Sequence, residues 1–338
     1  TATTQTIYIR TSGATTATID NVSVKEYLGQ EVVPDSGCGS WLWEPQSTNL
    51  VTYSEDFSQW SVGGTAPTLT SGQLSPSGEY NATKISGTIG SSILFTVGTS
   101  SETATRSVYA KSVSGTGTAR LMSFNGNTNN LFTLTEEWKR FELTGAVPTG
   151  GNNFYFDFRD NSQTLSEYMI WGAQSEAGNI SSYIPTEGST VTRNQDLCTN
   201  GGSLASINST SGVLYAEFKV FDSANSYKMI EINDGSSSNN RVLIYTYGSS
   251  IYGFVKSNGT TNMQVFSVEV VTDFNKVAIK WGAVNTALWI NGVEVNTGAA
   301  SAFVQNSLND LSFLGAGTQN FFGKTKALAV WKEALSDA

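Results

Sequence analysis

The run "VAIKWGAVNTALWINGVEV" sets Asn291-Gly292 between two stretches in which apolar and polar residues alternate. Period-two alternation puts successive side chains on opposite faces of a strand, and Asn-Gly supplies the positive φ angles of a two-residue type I′ hairpin. The same rhythm recurs in "ARLMSFNG", "NFYFDFRD", "GVLYAEFKVFD", "NRVLIYTYG" and "MQVFSVEVV", with Gly, Asn or Ser turns between the runs. An all-β chain with little helix is expected; the one short helix should follow the last strand, in "FFGKTKALAVWKEALSDA". At 338 residues the chain exceeds one ordinary sandwich, so tandem β-sandwiches are predicted.

Several chemistries are excluded by composition. The chain has no histidine, which removes Ser-His-Asp and Cys-His catalysis and His-ligated zinc. Its two cysteines, Cys38 and Cys198, form no CxxC motif. No apolar run reaches the roughly 18 residues of a membrane span, and no signal peptide is evident, so no membrane insertion is expected. Net charge is −9, carried mostly by the first 195 residues, and no basic patch suggests a nucleic-acid partner. Only 14% of residues are charged; Ser, Thr, Asn and Gly make up the polar surface, as in many secreted and virion proteins.

Along the chain, residues 1–28 read as a hairpin, "QTIYIRT" then "TATIDNVSVKEY". "IDNVSVKE" parallels "MIWGAQSE" of the following unit, so 1–28 are expected to be the terminal strands of a preceding β-sandwich, and the chain to begin inside a larger protein. Those strands could pair within the chain or with another protomer. Residues 29–47 read as a linker in which Trp41 and Trp43 either pin it to a neighbouring domain or form a sugar-stacking platform. A second unit spans 48–196 and a third 197–338.

"TNLVTYSEDFSQW", "SPSGEYNATKI", "SVYAKS", "EEWKRFELT" and "IWGAQSEAGNISSYIPTEGSTVTRNQD" together resemble the carbohydrate-binding-module-like jelly roll common in bacteriophage tail and virion surface proteins. "VAIKWGAVNTALWINGVEV" and "FFGKTKALAVWKEALSD" resemble a concanavalin A-like, laminin-G-type lectin/glucanase domain. These resemblances imply a jelly roll followed by a concanavalin A-like sandwich, with a glycan-facing or structural role; they do not imply catalysis.

The candidate glycan platform is aromatic, because sugar C–H faces stack on such rings. Alternation puts Leu288 and Ile290 on one face and Trp289 on the other; Tyr245 and Tyr247 share a face with Leu243, and Tyr252 follows the turn. Trp289, Tyr245, Tyr247 and Tyr252 are therefore the candidate glycan-binding residues, each with core or subunit-contact packing as the alternative. Trp171, Phe154, Phe156 and Phe158 are expected in the core of the first module. The oxygen-rich loop "INDGSSSNN" around Asp234 is either a calcium site or an ordinary turn; otherwise no cofactor is expected. Glu231 and Asp234 lie three apart and so on opposite faces of a regular strand, which disfavours a paired-carboxylate hydrolase. The expectation is a non-catalytic virion surface protein, such as a tail fibre, decoration or receptor-binding protein. Its partners would be cell-surface glycans and other virion proteins, in a homo-oligomer with a trimer among the options. A fibre or capsid spacer without sugar binding is the alternative, and a polysaccharide-degrading enzyme the remote one.

Overall fold

The computed structural model describes residues 30–32, 39–97, 103–123, 131–146, 153–235, 238–315 and 319–334. The hairpin expected within 1–28, Cys38 and most of the helix expected at the C-terminus lie outside them. The described chain is all-β, with antiparallel pairing throughout and one 3₁₀ turn at Phe57–Gln59.

In the first sandwich one sheet has the spatial order Lys139–Ala146, Thr103–Ser112, Glu167–Ala177, Ala82–Ser86, Thr68–Gln73. The facing layer holds Asn153–Asp157, Ile93–Val97 and Ser61–Gly63, and the Gly117–Arg120/Leu131–Leu134 hairpin joins it through a bridge between Ser123 and Tyr155. Alternation sends Phe154, Phe156 and Phe158 inward, all fully buried, to meet Phe57, Trp60 and Tyr168. Trp171 departs from the expected arrangement. It is buried, but next to inward-facing Ile170 it takes the other face, where it packs between Tyr109 and Tyr183. Gly172, at φ +65, begins the register shift that follows, and a side chain there would press on the Tyr183 ring.

The second sandwich pairs a seven-stranded with a five-stranded sheet. The larger runs Gln30–Val32, Gly323–Trp331, Gly212–Val220, Asn275–Trp281, Thr286–Ile290, Val293–Gly298, with Trp41–Trp43 also on Gly323–Trp331. The smaller runs Thr260–Val268, Ser250–Ser257, Arg241–Tyr247, Lys228–Asn233, Asp310–Ser312. Between them lies one core, from Leu214, Phe218, Val277 and Ile279 on one side to Ile230, Ile232, Val242 and Ile244 on the other. Asn291 and Gly292 have φ of 53 and 84, as the type I′ turn requires. Trp281, fully buried, donates its indole N–H to the carbonyls of Asn208 and Ser209; a Cβ at Gly212 would clash with its ring.

The stretch read as a linker contributes two strands to this second sandwich. Gln30–Val32 and Trp41–Trp43 both pair with Gly323–Trp331, so the first sandwich is inserted between strands of the second. Of the two roles considered for Trp43, the structure shows pinning. Its ring stacks on Phe313 at 4.5 Å and its Nε1–H donates to Thr325 Oγ1 at 3.1 Å. Outgoing and returning connectors then run side by side. Arg193 pairs with Glu44 at 3.3 Å, Glu44 and Asp196 exchange backbone-directed hydrogen bonds, and Ser47–Asn49 pairs with Val191–Arg193.

Trp43→Ala is expected to lower the stability of the second sandwich by about 2 kcal/mol, through lost packing and one lost hydrogen bond. Urea unfolding followed by tryptophan fluorescence checks this. Burial raises the Tyr168 and Tyr183 hydroxyls above the ordinary value of 10.0, so the folded state keeps protons that the unfolded chain releases. Their contribution is complete below pH 10 and is lost as pH rises above it. Stability measured from pH 8 to 12 should fall from about pH 10, and Tyr183→Phe should flatten the decline.

Candidate functional site

The strand Arg241–Tyr247 is apolar on both faces. Val242 and Ile244 enter the sandwich core, while Leu243 and Tyr245 join Met229, Tyr252 and Phe254 in a second apolar layer on the outside of the five-stranded sheet. The register aligns that layer in rows. Met229, Tyr245, Tyr252 and Phe266 are successive cross-strand partners, and Glu231, Leu243, Phe254 and Gln264 form the next row. With strands about 4.8 Å apart, four of them carry an aromatic row about 14 Å long.

Within the row, Tyr245 and Tyr252 stack at 4.5 Å with planes 7° apart, and Tyr252 meets Phe266 at 5.0 Å. Tyr227, just before its strand, reaches Tyr245 at 5.8 Å and Tyr247 at 4.9 Å. The exposed rings are at the ends: Tyr227 is 44% and Phe266 55% accessible, whereas Tyr245 is 6%. Burial raises the Tyr245 hydroxyl, partly offset by the hydrogen bond it accepts from Gln264. The result is an aromatic surface bordered by the amide of Gln264, able to stack planar apolar faces and bond to hydroxyls.

Tyr245, Tyr247 and Tyr252 are thus brought together, and Trp289 is not. It lies on the outer face of the seven-stranded sheet, across the core, with Lys280 Nζ 5.1 Å from its ring. The reason is topological: Thr286–Ile290 pairs with Asn275–Trp281, and its outward side chains face away from the smaller sheet. Tyr227 and Phe266 went unnoticed in the sequence. Phe266 was signalled by "MQVFSV", where Met263 and Val265 turn inward and Gln264 and Phe266 outward.

The acidic candidates are engaged within the protein. Glu231, buried beneath the outer face, pairs with Arg241, whose Nε–H donates at 3.0 Å, and accepts from Asn233 at 3.0 Å. Asp234 accepts from Asn240 Nδ2 at 3.2 Å. Among the described residues no three Asp, Glu or Cys side chains come together as metal ligands.

Neither any protein-family model nor any curated protein matches the chain. Solved structures similar to part of the chain include the carbohydrate-binding module CBM40 of a Ruminococcus gnavus IT-sialidase, solved with α2,3-sialyllactose. It is 17% identical, with a TM-score of 0.33 over 38% of this chain and 78% of that one. A SAP-like pentraxin from Limulus polyphemus, heptameric in its crystal, is 17% identical, with a TM-score of 0.32 over 41% and 70% of the two chains. The NanB sialidase of Streptococcus pneumoniae, as its K499G mutant, is 16% identical, with a TM-score of 0.33 over 41% and 27%.

Tyr245→Ala should cost about 3 kcal/mol, because it opens the outer apolar layer, whereas Phe266→Ala should cost less than about 1 kcal/mol. Denaturant midpoints of the two variants test this difference.

Proposed function

We propose that the chain is a non-catalytic glycan-binding protein of a virion surface, with its sugar site on the aromatic row Tyr227–Tyr247–Tyr245–Tyr252–Phe266. The observation that carries this reading is the row itself: exposed rings flank a buried apolar layer, on a sheet face that the second sandwich does not need for its core. Sugar C–H faces stack on such rings, and Gln264 stands beside them to bond hydroxyls. Buried Tyr245 and half-buried Tyr252 hold their exposed neighbours in place, so little ordering entropy is lost on binding. The commitment of Glu231 to Arg241 supports binding rather than hydrolysis. Placement on a virion, in a tail fibre, decoration or receptor-binding protein built as a homo-oligomer, is supported by the resemblance of residues 48–196 to virion jelly rolls and by the neutral polar composition.

A spacer reading is favoured by one observation. The first sandwich is joined to the second by two adjacent connectors, clasped by Arg193, Glu44 and Asp196, as suits a load-transmitting element.

A glycan array separates the two readings. The chain is expected to bind. Phe266→Ala and Tyr247→Ala should each weaken binding about fivefold, equivalent to about 1 kcal/mol per stacked ring. Trp289→Ala, across the core, and added chelator should leave it unchanged. Silence across the array would favour the spacer.

A further inference from the structure

Beyond Phe266 the aromatic face runs into a cavity of about 460 Å³. Val268 links the two: it lies opposite Ser250, and Ser250 lies opposite Tyr247, so all three continue the face of the aromatic row. The walls are Val268, Val270 and Val271, and the polar lining comes from Ser223, Ser249, Thr272 and Glu269. The Glu269 N–H donates to the Ser249 carbonyl at 2.9 Å, tying the last outward strand to the Tyr247 turn at the cavity edge. Ser267 Oγ donates to Glu269 Oε1 at 2.8 Å and orients the carboxylate.

Glu269 takes part in no salt bridge among the described residues. Cations on the flanking segments are engaged elsewhere: Lys228 with Asp222 at 3.0 Å, Lys326 with Glu217 at 3.2 Å, and Lys219 over the Phe274 ring at 5.3 Å. The cavity therefore offers hydroxyls, one carboxylate acceptor and apolar walls. That combination suits a ring bearing several hydroxyls and no charge of its own. A carboxylated ring would meet Glu269 with no compensating cation in the lining, and such like-charge contacts are costly where water is partly excluded.

We propose that this cavity receives the terminal residue of a neutral glycan whose chain lies along the aromatic row, and that Glu269 turns away glycans ending in a carboxylated sugar. The inference rests on the aromatic row being the glycan site. It makes the site a reader of glycan ends, with the row supplying stacking and the cavity supplying selectivity.

The test is an array of matched glycan pairs, each pair differing only in whether the non-reducing end is neutral or capped by a sialic or uronic acid. It is probed with the unaltered chain and with Glu269→Gln, Ser223→Trp and Phe266→Ala. Neutral members should bind at least about tenfold more tightly than their capped partners. Glu269→Gln should close most of that gap, and Ser223→Trp, which obstructs the cavity from its lining, should remove the preference while row-dependent binding persists. Equal or tighter binding of capped glycans, still weakened by Phe266→Ala, would overturn the cavity assignment and leave the row intact as a glycan site. A gap that Glu269→Gln does not narrow would overturn it as well. If no glycan shows binding sensitive to Phe266→Ala, the row itself is not the site and the inference falls with it.

Discussion

The ladder between Trp41–Trp43 and Gly323–Trp331, locked by the Trp43 ring over Phe313, joins segments about 280 positions apart. Once that pairing forms, the intervening first sandwich can only be an insertion, and its two connectors must leave and return side by side. The Arg193–Glu44–Asp196 clasp and the short Ser47–Asn49/Val191–Arg193 ladder follow from that proximity. An ion pair with one partner half-exposed adds little stability by itself. Here its arms also satisfy backbone groups, Glu44 accepting from Ser182 N–H and Asp196 from Glu44 N–H.

The five-stranded sheet has two apolar faces. Its inner face is needed to close the core. Its outer face buries Met229, Leu243 and Tyr245 in a second, smaller layer and leaves Tyr227, Tyr247 and Phe266 exposed. Exposed apolar area organised on a rigid base is what ligand sites require, because the rings need no reordering when something stacks on them. Apart from Tyr227, which precedes its strand, each side chain of the row has a cross-strand partner on a ladder, so its spacing is set by the sheet and not by a loop.

Much of the site was legible in the primary structure. Alternation was enough to group Tyr245 and Tyr247 on one face with Leu243, and Asn291-Gly292 announced its hairpin. Two kinds of information were not local. Register across strands decides which aromatic rings touch, and it brought Phe266 beside Tyr252 and Tyr227 beside Tyr247. Sheet membership decides which side of the core a strand occupies, and it removed Trp289 from the platform. Trp171 illustrates a third limit: burial does not say which face a ring is buried on, and only the pairing around Gly172 settles it.

By itself the sequence determined that the chain is all-β, that histidine-dependent chemistry is absent, and where most strands and the Asn291-Gly292 turn lie, because period-two patterning and turn residues act over a few neighbouring positions. Tertiary structure alone decided that the first sandwich interrupts the second, that the stretch around Trp43 is strand and not linker, and that the aromatic rings line up into a row ending at the Glu269 cavity. Those outcomes depend on pairings between segments far apart in the chain, and such pairings are set by the packing of whole sheets.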